Sequence, residues 1–150
     1  SLGIEAMKVR YTHKEFSNNN ERQYENWATP MAAVQLLDSL WKQKGPAGAD
    51  LDKREKELLL LAFMYKTPTG PNRLKGLLPA GTLVAHKTGT SGTVDGVTAA
   101  TNDVGIITTP SGRHILIAVF VGDSRADEKT RDAVIARIAK AAWDRWAAGS

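Results

Sequence analysis

The apolar positions of this chain change period partway along. Between Thr29 and Tyr65 they recur three and four residues apart, which is the helical period; after Leu83 they fall in short dense runs bounded by Gly and Pro, as strands do. Ala33, Val34, Leu37, Leu40 and Trp41 make one helical face. Thr29-Pro30 supplies an N-cap and a first-turn proline, and Gly45-Pro46 stops the helix. Asp52-Lys53-Arg54-Glu55 has capping-box spacing with Asp as the cap. It predicts a second helix to about Tyr65, with Leu58 to Ala62 buried, ended by Thr67-Pro68-Thr69-Gly70-Pro71. Arg73 to Leu78 reads as one helical turn closed by Pro79-Ala80-Gly81.

Strands are predicted near 83–90, 99–109 and 114–122, the last two joined by a tight turn at Ser111-Gly112. Ile115 to Val121 is apolar throughout, so both faces of that strand should be covered. Ser124 is the expected cap of a last helix, with Asp127 at its third position. Ile135, Ile138, Ala139, Ala142 and Trp146 form the stripe that lays this helix on the sheet. The order is that of an α+β fold: helices, then an antiparallel three-stranded sheet, then a C-terminal helix packed on it. One domain is expected, with 1–82 as its loop and helical part and 83–150 as its sheet and closing helix. Ahead of all this, Met7 to Tyr11 reads as a short extended piece, and 12–28 as a polar loop marked by Asn18-Asn19-Asn20. A connection that long is often functional.

Composition narrows the chemistry. At 42% hydrophobic and 24% charged residues the chain can build a core. No apolar run is long enough to cross a bilayer, Leu58 to Met64 being far too short, and Ser1-Leu2-Gly3-Ile4-Glu5 has no signal-peptide pattern. The absence of cysteine excludes disulfides and thiol catalysis. The +4 charge is spread among acids, as in Lys53-Arg54-Glu55-Lys56-Glu57, so these read as solvated faces rather than a nucleic-acid groove. No membrane or nucleic-acid partner is expected. His13, His86 and His114 lack ligand spacing, so no metal and no cofactor is expected either. His86 alternates to the far side of its strand, where a structural role fits. Asn102-Asp103 reads as a structural polar pair, and Trp27, Trp41, Trp143 and Trp146 as core and interface residues.

One stretch asks for a ligand. Val84-Ala85-His86-Lys87-Thr88-Gly89-Thr90-Ser91-Gly92 is a strand that ends in a cation, three hydroxyls and a glycine. Lys87 can pair with an anion, Thr88, Thr90 and Ser91 can hydrogen-bond one, and Gly89 lets a ligand lie close to the backbone.

These residues carry a family likeness. His86-Lys87-Thr88-Gly89-Thr90-Ser91-Gly92, with Thr69-Gly70-Pro71-Asn72-Arg73-Leu74-Lys75-Gly76-Leu77-Leu78-Pro79-Ala80-Gly81 before it and Ala99-Ala100-Thr101-Asn102-Asp103-Val104-Gly105-Ile106-Ile107 after it, resembles the class A serine β-lactamases, in their extended-spectrum branch. Gln23 to Pro30 and Ala118 to Val121 agree. The likeness covers the second half of such an enzyme. The family's nucleophilic Ser-x-x-Lys and its Ser-x-Asn turn would both lie before residue 1. Ser39-Leu40-Trp41-Lys42 and Ser17-Asn18-Asn19 have those spacings but the wrong places, and Ser39 and Lys42 are expected to be polar helix residues.

The resemblance implies roles. Lys87 would hold a β-lactam carboxylate and support proton transfer; Thr88 and Ser91 would bond the carboxylate; Thr90 would give a backbone N–H to the oxyanion hole; Gly89 would lie against the substrate. Arg73 would add positive charge, or else form a structural ion pair or turn contact. In the deacylation loop His13 stands where the family has a general-base Glu, Ser17 where an Asn or His helps hold the water, and Glu15 lies two residues on. The expected activity is β-lactam hydrolysis through an acyl-enzyme, with this chain alone inactive. The alternative is a penicillin-binding or assembly module without turnover. Expected partners are a β-lactam and the missing N-terminal half, or a second copy joined through an uncovered sheet edge. A periplasmic or secreted location is implied by the likeness alone.

Overall fold

A computed structural model describes residues 3–16, 20–42 and 51–147. The chain opens with β1 (Met7–Lys8), α1 (His13–Phe16), a 3₁₀ turn (Asn20–Glu25) and β2 (Trp27–Ala28). β1 and β2 pair antiparallel, so the extended piece is shorter than Met7 to Tyr11, and this pair closes the base of the loop that begins at Thr12. Asn26 ties that base: its Oδ1 accepts from Arg10 N (2.7 Å) and Tyr11 N (2.9 Å), and its Nδ2 donates to Tyr11 O (2.8 Å).

Two helices follow, α2 (Pro30–Lys42) and α3 (Leu51–Lys66). Thr29 Oγ1 accepts the Ala32 N–H at 3.1 Å, the cap its position predicts. The side chains of the capping box expected at 52–55 lie outside the described residues up to Arg54. Ser39 and Lys42 are helix-surface residues: Ser39 Oγ donates to Gln35 O, and Lys42 pairs with Asp38 one turn back.

The sheet holds β3 (Val84–Thr90), β4 (Thr93–Val94), β5 (Val97–Thr108) and β6 (His114–Ser124). It has four strands, not three. The additional β4 pairs with β5 across Asp95-Gly96, whose φ values of 50° and 74° are those of a two-residue hairpin turn. β5 is central, with β3 on one side and β6 on the other, all antiparallel.

Alternation along the strands splits the core. Val84, Ile107, Ile117 and Val119 meet Leu74 and, on α4 (Glu128–Ala147), Ile135 and Ala139. Ala85 and Ile106 point the other way, to Leu37 of α2 and to Leu61 and Met64 of α3. Ile106, Ile107 and Ile135 are fully buried, each contributing about 1.5–3 kcal/mol of transfer free energy.

Three expectations change here. Leu58, Leu59 and Leu60 are about half exposed rather than buried. Consecutive residues fan round a helix by 100° each, and the stripe that reaches the sheet is Leu61, Met64 and, in part, Tyr65. The cap of α4 is Asp127, not Ser124: its Oδ1 accepts from Thr130 N at 2.7 Å, while Ser124 Oγ accepts from Ala126 N in the preceding turn. The buried stripe of α4 runs through Ile135, Ala136 and Ala139 to Ala142 and Trp143, which leaves Ile138 and Trp146 exposed.

Candidate active site

β3 lies at the edge of the sheet. Its register with β5, together with bonds from Ser91 N to Ala100 O (2.9 Å) and from Thr108 N to Leu83 O (2.9 Å), assigns the odd-numbered residues to the β5 ladder. The backbone N–H groups of Thr88 and Thr90 therefore face the free edge. Beside that edge is an open cleft of about 580 Å³, lined by Lys87 to Ser91, Ala99, Ala100 and Asn102, with Tyr24, Asn26 and Trp27 of the loop opposite. A larger groove of about 880 Å³ separates the 72–77 turn from α4. Its acidic and basic groups are interspersed, and it includes none of the strand-end residues, so the smaller cleft is the candidate site.

Lys87 is exposed and its Nζ curls to the outward-facing carbonyl of Thr88, at 2.5 Å. Thr88 and Thr69 share a hydroxyl–hydroxyl bond of 2.7 Å. When Thr69 donates, the Thr88 proton is left for a ligand. Ser91 Oγ accepts from Ala100 N at 2.9 Å and donates to Gly92 O at 3.0 Å, so its hydroxyl also stitches the strand end. A Cβ at Gly89 would meet only the Asn102 Cβ, at 3.9 Å; this position is open to the cleft rather than crowded by protein.

Arg73 forms the structural ion pair, one of its two expected alternatives. It is buried, with Nε donating to Asp132 at 2.7 Å, Nη1 to Gly89 O and Asn102 O, and Nη2 to Thr90 Oγ1 at 2.8 Å. That ion pair with α4 is structural. The same guanidinium brings positive charge beneath the strand end and keeps one N–H in hand. The turn that carries Arg73 is made of i→i+3 bonds, Arg73 N to Gly70 O and Gly76 N to Arg73 O. Gly70 takes a φ of 61° there, and a Cβ on it would sit 2.5 Å from Thr88 Cγ2.

In the loop, the His13 side chain and Ser17 lie outside the described residues. Glu15 caps α1: its Oε2 accepts from both the N–H and the hydroxyl of Thr12, at 2.7 Å each. Those bonds from the Thr12 side chain and backbone hold the Glu15 carboxyl below its usual range, with Arg22 adding a smaller pull against slight desolvation. Tyr24 donates its hydroxyl to Asp123 Oδ1 at 2.9 Å and so ties the loop to the end of β6. That bond, then desolvation and the Asp123 charge, raises the Tyr24 pKa.

Behind β3, His86 and Asp103 are both fully buried and bonded to each other, the structural placement their positions predict. Sequence reasoning missed Asp132, Thr69, Asn26 and Tyr24. Nothing in a linear pattern brings Asp132, 59 positions away, to Arg73. Asn26 and Tyr24 stood in a stretch marked as functional by its length alone. Trp27, read as core, is 49% exposed and lines the cleft. Among the described residues no three His, Asp or Glu side chains are grouped to hold a metal ion, and no helix is long and apolar enough to cross a membrane.

Comparison with known proteins identifies the family. The family model described as "Beta-lactamase enzyme family" matches residues 1–146. The extended-spectrum β-lactamase PER-1 of Pseudomonas aeruginosa is 45% identical over 143 residues, 95% of this chain and 44% of that enzyme. The crystal structure of the TLA-1 extended-spectrum β-lactamase superposes with a TM-score of 0.87 at 46% identity, covering 97% of this chain and 51% of that one. A representative class A β-lactamase from Bacteroides cellulosilyticus DSM 14838 gives a TM-score of 0.86 at 34% identity, covering 97% and 50%. The chain thus spans about half the length of the relatives it matches, and over that span it belongs to the β-lactamase enzyme family, with the α+β fold of its class A members.

Proposed function

We propose that this chain supplies the carboxylate-binding and oxyanion-binding half of a serine β-lactamase site, in a protein whose nucleophilic serine lies outside these residues. The observation that carries the reading is the free edge of β3, where the Lys87 ammonium, the Thr88 hydroxyl and the outward Thr90 N–H line one open cleft above the charge of Arg73. A β-lactam brings a carboxylate and a strained amide carbonyl. Lys87 and Thr88 fit the first. The Thr90 N–H suits the oxygen that becomes negative as serine adds to the carbonyl, a contribution of about 3–4 kcal/mol for a preorganised donor. Ring opening cleaves the amide C–N bond, protonates the nitrogen and leaves an ester on the serine. Hydrolysis of that ester by water restores the enzyme.

The second step favours a second reading. His13 replaces the family's Glu, and Glu15 is held by Thr12 as a cap, with its carboxyl made less basic. An acyl-enzyme that forms and persists would make the protein a penicillin-binding module without efficient turnover. The exposed apolar side of α3, with Leu58, Leu59, Leu60 and Phe63, is the surface for the remaining half of the fold, or failing that for a second copy. Export to the periplasm or medium goes with the family. Intact-mass spectrometry of a parent chain containing the upstream serine, before and after penicillin, tests both readings. A stable adduct that His13→Glu converts to turnover supports the binding module; turnover without that change supports the hydrolase; no adduct and no turnover sink both.

A further inference from the structure

The His86–Asp103 pair does more than fill the space behind β3. Nδ1 of His86 lies 3.0 and 2.9 Å from the two Asp103 oxygens, and a carboxylate offers only acceptors, so Nδ1 carries the proton and donates. Asp103 Oδ2 also accepts the Leu74 N–H at 3.2 Å, which joins β3, β5 and the Arg73-bearing turn at one buried side chain. Gly105 leaves room for this: a Cβ there would lie 2.9 Å from the His86 Cβ and 3.1 Å from Leu74 Cδ1. His86 Nε2 is buried with no hydrogen-bond partner among the described residues, a cost the fold bears to keep an imidazole at this place. Arg73 then has two anchors. Asp132 holds its Nε, and Asp103, through the Leu74 N–H, holds the peptide that follows it.

We propose that His86 and Asp103 are positioning residues for the anion-binding cluster. They fasten the turn to the sheet and thereby set where the Arg73 guanidinium meets Thr90 and the strand end. The identity of the anion, a β-lactam carboxylate, rests on the function proposed above; the fastening does not.

The test uses a parent chain with the upstream serine. Asp103→Asn should raise KM for a penicillin about tenfold while kcat changes less than about threefold, since a small misplacement of a binding group is costly. In an Arg73→Lys background the same change should raise KM less than about twofold, because the two act as one unit. His86→Asn, which keeps a donor toward Asp103, should stay within about threefold of the parent. NMR exchange of the Arg73 Nε–H with solvent, expected to quicken about tenfold in Asp103→Asn, reads the fastening without turnover. His86→Ala is read in the same way should Asp103→Asn not fold. A parent that takes no β-lactam would sink the function and leave the exchange result to decide the positioning. Unchanged Arg73 exchange, or KM effects that simply multiply, would overturn it.

Discussion

Replacing Arg73 by Ala removes the group on which the turn, the strand end and the last helix converge. Four hydrogen bonds are lost, to Asp132, Gly89 O, Asn102 O and Thr90 Oγ1. Asp132, whose side chain is only 9% exposed, is left as a carboxylate with its cation gone. Breaking a buried pair from one side costs about 3–5 kcal/mol, most of it from the stranded charge rather than from the bond. With a urea m-value of about 2 kcal/mol/M, the unfolding midpoint should fall by roughly 1.5–2.5 M. The stranded charge can be removed in turn. Arg73→Ala with Asp132→Ala should recover about 2 kcal/mol relative to Arg73→Ala alone, because neither partner then remains unpaired. Urea unfolding followed by far-UV circular dichroism measures both. A midpoint shift under about 0.5 M for the single variant, or a double variant no more stable than the single, would refute the picture of Arg73 as a buried clamp.

Other outcomes follow from the same structure. Gly105→Ala would place a methyl 2.6 Å from Ala85 O; the expected loss is about 2–3 kcal/mol of unfolding free energy by the same urea assay. Lys87→Gln should slow acylation of a parent chain by penicillin about 10- to 100-fold, read by stopped-flow, since it exchanges a charge-assisted bond for a neutral one. Asp127 has its carboxyl held below the usual range by its bonds from the Thr130 side chain and N–H, with Lys129 and Arg131 nearby against slight desolvation. Its cap therefore stabilises α4 fully above the ordinary aspartate pKa and is lost as pH falls through the lowered folded value. Melting curves from pH 6 down to about pH 2 should show a steeper acid loss for the parent than for Asp127→Asn; parallel curves would remove this role.

Much of the scaffold was legible because period and punctuation agreed. Thr29-Pro30, the Leu37 face, the Ser111-Gly112 turn and the doubly covered β6 each follow from a local rule that tertiary contacts did not override. The failures were also local. Ser124 looks like a cap, yet Asp127 stands closer to the first turn of α4 and accepts its free N–H. Leu58, Leu59 and Leu60 look like core in composition, but a helix resting on a sheet by one stripe seats Leu61, Met64 and, in part, Tyr65. Asp95-Gly96 is a strong hairpin signal that the Thr93–Val94 strand was too short to announce. At the candidate site, the Lys-Thr-Gly strand end could be singled out from the sequence, because cation, hydroxyls and glycine sit side by side in the chain. Asp132, Thr69 and the Leu74 N–H could not be read this way. They reach Arg73, Thr88 and Asp103 only through folding.

The two-fold alternation of β3 has a consequence for how this protein tolerates change. Odd residues pair their backbone with the sheet, while Thr88 and Thr90 turn theirs to the free edge beside the cleft, so pairing and the proposed chemistry share one strand without sharing backbone atoms. Inserting or deleting one residue between Leu83 and Ser91 would exchange the two sets, turning donors inward and pairing groups outward. Length polymorphism should thus be forbidden in this stretch yet permitted a few residues on, at the exposed Asp95-Gly96 tip, where an added residue lengthens a loop and leaves the phase of the strand intact.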